Sequence, residues 1–264
     1  MQREKRANKM ASVWKGHIAF GLVSVPVKLA CAARSESVSF NELRKSDLEP
    51  VGRKSYVKSD GSDIAPADVV KGYKTGKGWV IVTPEEIKAL APSSAHVAEI
   101  TEFVPIAQVD PVNYESAYWI APDEGGSKAY ALLYDGLKRS GAVAIAKITM
   151  SSREHVLAIR AGKSGIVAHT LFYAHEARAT EEYRTDLGQI GEAESELASS
   201  LIAAYSGTFD ASKFSDGYRE KILALIASKE SGAAPPKPEA QKPQAAAVDI
   251  MAALKASLAA RKAA

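Results

Sequence analysis

Two glycine-rich segments contain residue types that could act on a phosphate or hold a nucleophile. Residues 72–78, GYKTGKG, resemble a phosphate-binding loop, but three residues instead of four separate Gly72 from Gly76. Gly78 also occupies the position of the Ser or Thr that would bind magnesium. Residues 162–165, GKSG, lack the G-x-S-x-G spacing of a nucleophile elbow. These spacings favour a binding protein over an enzyme.

Residues that bind transition metals are few and scattered. Cys31 is the one cysteine, so a disulfide within the chain is excluded and a zinc site would need histidines or carboxylates. His155 follows Arg153 and Glu154 at a predicted turn, where a solvated side chain or a phosphate contact is the simpler interpretation. None of the histidines shows ligand spacing: His17, His96, His155, His169 and His175. We expect neither a metal nor a cofactor.

Charge is arranged in blocks along a chain whose net charge is +3. Residues 1–80 contain 15 Lys and Arg against 8 Asp and Glu, whereas residues 81–130 contain 2 against 8. Residues 131–175 are basic again, with 6 against 2, and residues 176–234 are acidic, with 6 against 11. Two separated basic blocks predict one positive surface of the kind that binds nucleic acid. Ordinary clustering of surface charge is the alternative.

The first basic block begins with the β-rich stretch VWKGHIAFGLVSVPVKL, residues 13–29. Its apolar residues occupy even positions up to Leu22 and odd positions from Val23 onwards, although the side chains of a strand alternate strictly. We predict one long strand with a β-bulge at Gly21, bent as barrel closure requires. Two strands joined at Gly21 are the alternative. Pro26 belongs at an edge or a bulge, because it cannot donate to a ladder.

Most of the chain before residue 176 is predicted to be β-structure. Thr83 and Glu86 form a capping box at the start of a short helix, and residues 125–141 predict a helix between glycines. The last three strand-like segments predict a meander. Segments typical of strands or turns, with Asp60–Gly61 as a turn signal, are 35–45, 52–64, 79–82, 95–109, 115–121, 142–150, 154–161 and 165–173.

Helical periodicity follows residue 176. Residues 194–207 and 215–232 predict two helices that end at glycine, and residues 233–247 form a linker rich in Pro and Ala. Residues 248–264 predict a final helix that is marginal in isolation, so we expect it to dock on a partner, with a frayed tail as the alternative. Its apolar stripe consists of Ile250, Met251, Leu254 and Leu258.

Several motifs, in order, resemble the bacterial Ku family from Val13 to about Lys229. They are WKGHIAFGLVSVPVKL, SVSFNELRK, GRKSY, DVVKGY, TEFVPIAQVDPVNYESAYWIAPDEGGSKAYALL and REHVLAIR. DIMAALKASLAARK resembles the C-terminal segment of the same family. One departure stands out, because many members have a Cys-x-x-Cys pair where this chain has YVKSDGSDIAPAD, residues 56–68.

The resemblance implies a mainly β, α+β fold with a Ku-type β-barrel core and a helical C-terminal arm, assembled as a homodimeric ring. It implies that the ring threads double-stranded DNA ends in non-homologous end joining. It also implies recruitment and stimulation of the multifunctional ATP-dependent DNA ligase, for which the final helix is the docking element. The expected organisation is a loose leader (1–10), a barrel core with a DNA-encircling segment (11–190), a helical arm (191–232), the linker (233–247) and the docking helix (248–264).

A ring that accepts any DNA end has to contact phosphates, which provide affinity without base preference. Each candidate comes from one of the two basic blocks, and a solvated surface charge is the alternative for each. The candidates are Lys15, Arg34, Arg53, Lys54, Lys58, Lys71, Arg153, Arg160 and Lys163.

Other functions remain open at this point. A basic β-barrel that binds single-stranded DNA or RNA without end specificity would expose aromatic residues between basic ones. A structural dimer that binds no nucleic acid would leave the charge blocks unexplained. No apolar run reaches the roughly 18 residues of a membrane span, so we expect a cytoplasmic, nucleoid-associated protein without a membrane partner.

Overall fold

The computed structural model describes residues 11–90, 96–178, 185–186, 188, 190–233 and 250–262. The described residues divide into two units. The first consists of residues 11–35 and 41–178 and contains every described strand. The second consists of residues 36–40 and the described residues beyond 178. The expected leader and all but the first residue of the expected linker lie outside the described residues.

The opening β-rich stretch forms a hairpin. Strands β1 (Ser12–Phe20) and β2 (Val23–Cys31) pair antiparallel, with Ile18 opposite Val25. The prediction of one bulged strand is wrong, and the alternative of two strands joined at Gly21 is correct. Gly21 has φ +56° in a two-residue turn, where glycine is favoured. Because a two-residue turn places even-numbered residues opposite odd-numbered ones, the switch of apolar parity keeps both strands facing the same core.

A second hairpin follows after a long irregular stretch. Strands β3 (Lys71–Thr75) and β4 (Gly78–Val82) form a separate two-stranded sheet. Helix α1 (Pro84–Ala89) begins with the predicted capping box, in which Thr83 Oγ1 accepts from the Glu86 N–H and Glu86 accepts from the Thr83 N–H. The segments at 35–45 and 52–64, predicted to be strands or turns, lie in a region of turns with two isolated bridges, Leu43–Pro50 and Tyr56–Asp63.

Seven strands close into a barrel in the order β1-β2-β6-β9-β8-β7-β5, which confirms the predicted β-barrel class. The barrel closes where β1 runs parallel to β5, with Ile18 opposite Ala98. The predicted β7-β8-β9 meander is also confirmed. The remaining barrel strands are β5 (Val97–Pro105), β6 (Tyr114–Pro122), β7 (Ala142–Met150), β8 (Arg153–Ala161) and β9 (Ile166–Leu171).

Helix α2 (Ser127–Ser140) seals one end of the barrel. Leu133 and Leu137 of the helix join the barrel core, and the helix contacts β2, β7 and β8. The Tyr130 hydroxyl donates to Ile120 O at 2.9 Å and accepts from the Ile166 N–H at 2.8 Å, which ties the helix to β6 and β9. The helix connects the end of β6 to the start of β7, so both strands present these ends to it.

The second unit is helical. It contains α3 (Glu192–Tyr205), α4 (Gly217–Glu230) and α5 (Ile250–Lys262), close to the predicted bounds. α5 packs against α3. Within the described ranges, no helix combines the length and apolar character needed to cross a membrane.

Candidate nucleic-acid interface

The β3–β4 hairpin is the most solvent-exposed β-structure of the first unit. Both strands are exposed along their whole length except for half-buried Val82, and such a hairpin alone is marginally stable in water. The Trp79 ring lies over Gly72, 3.4 Å from where a Cβ would stand. This hairpin therefore has two open faces available to a partner.

Three lysines on this hairpin have no ion-pair partner among the described residues. They are Lys71, which the sequence predicted, and Lys74 and Lys77, which it did not. The signal for the missed pair was the GYKTGKG stretch itself, in which the glycine-rich turn before the strand at 79–82 contains both lysines. As a hairpin, the same spacing places lysines on β3 and in the turn, where they are accessible to a phosphate backbone.

Residues 41–64 form two turns with the same hydrogen bonds and related sequences, RKSDL (44–48) and VKSDG (57–61). In the first, the Leu48 N–H donates to Arg44 O and the Arg44 N–H to Glu49 O, each at 2.8 Å. The second repeats this pattern at 2.9 and 2.8 Å, from the Gly61 N–H to Val57 O and from the Val57 N–H to Ser62 O. We call this segment the double turn.

An ion pair stabilises the first turn of the double turn, and side-chain hydrogen bonds stabilise the second. Arg44 Nε and Nη2 donate to the Asp47 carboxylate at 2.9 and 2.5 Å, and this contact holds the pKa of Asp47 below its usual range. In the second turn, the Ser62 N–H and hydroxyl donate to Asp60 and lower its pKa. Across the described residues, no group of three or more His, Cys, Asp or Glu side chains is placed to hold a metal ion.

Two predicted contacts of the double turn are already paired with acids. Arg53 Nη2 lies 3.1 Å from Glu42 Oε1, and Lys54 Nζ donates to the Asp63 carboxylate. All four side chains are exposed, so a phosphate could displace the carboxylates at small cost. Lys58 lies at the tip of the second turn without an ion-pair partner in the described part of the chain. Arg34 is likewise exposed on the loop after β2.

Lys15 has a structural partner. Its ammonium lies 2.8 Å from Asp123 Oδ2, while that of Lys28 lies 2.5 Å from Asp123 Oδ1. The two lysines strongly lower the pKa of the Asp123 carboxyl, Lys15 having the larger effect, and Asp123 in turn raises the pKa of Lys15. The Asp123 side chain is only 7% exposed, whereas the side chains of Lys15 and Lys28 are 66% and 42% exposed, so only the carboxylate is shielded from water.

The second basic block is spread over both ends of the barrel. Arg153 begins β8 and Arg160 lies seven residues further on, or about 23 Å of extended strand. Arg153 Nη2 donates to Glu176 Oε1 at 2.5 Å; the Tyr173 N–H and then Arg153 lower the pKa of that carboxyl. Arg160 is half-buried, whereas Lys163 is exposed in the β8–β9 turn at the α2 end. The structure therefore does not gather these three residues into one patch.

The expected docking stripe of α5 faces its own chain. Met251, Leu254 and Leu258 are half-buried where α5 packs on α3, and the side chain of Ile250 lies outside the described residues. The Arg261 guanidinium stacks over the Tyr205 ring, 4.9 Å from its centroid. The apolar stripe of α5 therefore already packs against α3 of the same chain.

The helical unit also exposes large apolar side chains. Neither α3 nor α4 has a fully buried residue. Exposed apolar patches usually mark a protein interface. The exposed apolar residues of this unit include Ile202, Tyr205, Phe209, Phe214, Tyr218 and Leu223.

Comparisons with known proteins show similarity over most of the chain. The family model described as "Ku70/Ku80 beta-barrel domain" matches residues 19–197. The chain is 42% identical over 253 residues to "Non-homologous end joining protein Ku" of Koribacter versatilis, covering 96% of this chain and 87% of that protein. It is 40% identical over 249 residues to the protein of the same name from Solibacter usitatus, covering 94% and 93%.

Among solved structures, the SPOC domain of human PHD-finger protein 3 aligns with a TM-score of 0.30 and 12% identity. The alignment covers 61% of this chain and 95% of that one. This similarity is too low to indicate a shared function.

Proposed function

Because this chain belongs to the Ku family, we propose that it binds double-stranded DNA ends in non-homologous end joining, as a homodimeric ring that threads the duplex. The relatives are named for that pathway, and the match extends over nearly the whole chain. The proposal assigns a binding role to the protein and no catalytic step.

The observation that carries the proposal is the exposed, basic β3–β4 hairpin. Three unpaired lysines on a ribbon that packs on no core are placed for phosphates and read no bases. Lys58 and Arg34 are exposed in the same unit and extend the set of contacts that a duplex backbone could use. Arg53 and Lys54 can join them by exchanging their carboxylate partners for phosphates.

Dimerisation is supported by the exposed aromatic residues in the connection between α3 and α4. Phe209 is 80% exposed and stacks on Phe214 with ring centroids 5.9 Å apart, which leaves a large aromatic surface in water. A second copy related by a twofold axis would cover the same surface on both chains. It would also present the basic hairpin twice around the duplex.

We propose that α5 is the segment that binds the ATP-dependent DNA ligase. The helix packs on α3, with Leu254 and Leu258 half-buried, and the Arg261 guanidinium stacks over the Tyr205 ring and donates from Nε to Ala204 O at 3.5 Å. A helix held by so small an apolar stripe can exchange one partner for another, so α5 is suited to leave α3 and bind the ATP-dependent ligase.

A second function is favoured by one specific observation. Tyr73 and Trp79 are 72% and 70% exposed on opposite faces of the basic hairpin, so each ring could stack on a base of single-stranded DNA or RNA. The experiment has to distinguish this function from end binding.

The test is a gel shift of the full-length protein with a labelled linear duplex and three unlabelled competitors. The competitors are the same duplex, the same sequence closed into a circle, and one of its single strands. We expect only the linear duplex to compete, because a threaded ring needs an end. Equal competition by the circle contradicts threading, and stronger competition by the single strand would establish the alternative function.

A further inference from the structure

A cavity on the outer face of the barrel is not explained by DNA binding. It lies beneath the connection between β5 and β6 and has a volume of about 380 Å³, within the range of small-ligand pockets. Arg160, His169 and Tyr114 supply its polar groups. Ile106, Val109 and Pro111 supply apolar walls.

The two basic residues of the cavity reach it from neighbouring strands. In the β8–β9 ladder Arg160 lies opposite Val167, and His169 lies opposite Ala158, so the two share one face of the sheet. Their strand neighbours Ile159 and Ala168 are fully buried on the opposite, core-facing side. Ile106, Val109 and Pro111 of the connection between β5 and β6 line the cavity beside this pair.

Both basic residues have buried nitrogen atoms without a hydrogen-bond partner. Arg160 Nε and His169 Nδ1 are inaccessible to solvent and receive no partner within the described part of the chain. Native proteins satisfy nearly all buried polar groups, so an unpaired donor calls for an explanation. Arg160 is always charged, and no described acidic side chain forms an ion pair with it. The cavity is therefore lined by a guanidinium that has no ion-pair partner among the described residues.

A second cavity of about 150 Å³ adjoins the first at Arg160 and Ile106. Lys138 of α2 lines it, which adds another cation to the neighbourhood. Tyr114 packs on His169 with ring centroids 5.0 Å apart and fixes the imidazole in place. Burial and then the Arg160 charge lower the pKa of His169, so the imidazole is neutral at pH 7 and can donate or accept one hydrogen bond.

The apolar residues that line the cavity indicate that its ligand has an apolar group next to the anion. A DNA phosphate is part of a strongly hydrated backbone and would bring no apolar group to meet Ile106, Val109 and Pro111. A carboxylate matches the fork of a guanidinium with two parallel hydrogen bonds. The last residue of a polypeptide combines a carboxylate and a side chain on one carbon, and an apolar residue at that position fits a cavity of this size.

We propose that this cavity binds the C-terminal carboxylate of a partner polypeptide that ends in an apolar residue. Arg160 holds the carboxylate, His169 adds a hydrogen bond, and Ile106, Val109 and Pro111 contact the terminal side chain. The site lies outside the hairpin that we propose for DNA, so the protein could hold a partner and a duplex at once.

The test is a calorimetric titration of the full-length protein with an octapeptide ending in Leu-Phe and with its C-terminal amide. N-acetyl-phenylalanine and inorganic phosphate serve as probes of the other sources of an anion. We expect the free acid to bind at least about tenfold more tightly than the amide, since a hydrogen-bonded charge is lost. Equal affinities for the free acid and the amide would indicate an apolar cavity that does not recognise an anion. Tighter binding of phosphate than of the peptide would indicate a phosphate site. An affinity for N-acetyl-phenylalanine equal to that for the peptide would indicate a small-molecule site. Each of these results overturns the proposal.

Three further measurements separate peptide binding from effects on folding and on DNA binding. Arg160→Gln should weaken peptide binding at least about tenfold, whereas the matched control Arg139→Gln, on the exposed side of α2, should not. The Tm of Arg160→Gln should be unchanged or higher, because an unpaired buried donor is removed; a large fall in Tm would show a structural role and contradict the proposal. A saturating linear duplex should leave peptide binding unchanged, and displacement by DNA would show that Arg160 contacts phosphate instead.

Discussion

Lys15 lies directly opposite Lys28 in the β1–β2 ladder, and both ammonium groups bind the carboxylate of Asp123. Like charges that face each other across a ladder are destabilising, so Asp123 converts a repulsion into a link between the hairpin and the loop after β6. The Asp123 N–H also donates to Pro26 O at 2.9 Å. A Cβ on Gly126 would come within 2.5 Å of the same Pro26 oxygen, so this approach needs glycine.

We expect Asp123→Asn to lower the Tm by a few degrees at pH 7, because Lys15 and Lys28 lose the nearly buried carboxylate that binds both of their ammonium groups. The lysines lower the pKa of Asp123 below its unfolded value. The stabilisation is therefore complete above the ordinary carboxyl pKa of about 3.9 and is lost as the pH falls through the lowered pKa. Thermal melts between pH 7 and pH 2 should show the wild-type advantage shrinking. Asp135→Asn, which removes an exposed pair with Arg139, is the control and should change little. A difference in Tm that is constant with pH would contradict this assignment.

Leu133→Ala should destabilise the barrel by about 2–5 kcal/mol, because the side chain is only 5% exposed where α2 seals the barrel end. Urea unfolding measures the change. The matched control is Leu132→Ala on the same helix, where the side chain is 66% exposed and little should change. Equal losses in the two variants would mean that α2 does not close the core.

Replacing Lys71, Lys74 and Lys77 by glutamine should weaken binding to a linear duplex and make it less dependent on salt. Each phosphate contact contributes about −0.9 to the slope of log K against log salt, so the loss of three contacts should reduce the slope by about 2.7. Affinity measured by fluorescence anisotropy across a salt series tests this. The control carries the same charge change on α2, through Lys128, Lys138 and Arg139. An equal change in slope for both variants would indicate nonspecific attraction by net charge.

Deleting residues 248–264 should leave DNA-end binding intact and abolish stimulation of the ATP-dependent ligase. The finer test is Leu258→Asp, which places a charge in the half-buried stripe of α5, against Ala259→Asp on its exposed neighbour. The rate at which purified ligase joins the ends of linear plasmid measures stimulation, and a gel shift measures DNA binding. Full stimulation by the truncated protein would refute the docking role of α5.

Local interactions explain which elements could be predicted. The Thr83–Glu86 capping box and the glycine at the end of α2 act within one turn of backbone, so their residue types alone predict the helix bounds. Alternation likewise predicted the β7–β8–β9 meander, whose strands are sequence neighbours. The sequence predicted one bulged strand in place of the first hairpin, because a bulge and a tight turn produce the same switch of apolar parity. Only the pairing of Phe20 with Val23 distinguishes them.

The sequence by itself determined the family, the β-rich core, the helices of the arm and the two basic blocks. Tertiary structure alone decided what each charge does, because barrel closure brings together residues far apart in the chain. It pairs Lys15 with Asp123 and places Arg160 and His169 in the lining of one cavity. It also leaves the β3–β4 hairpin exposed to solvent. Charge is visible in a residue's type, whereas its partner and its exposure to water depend on long-range packing.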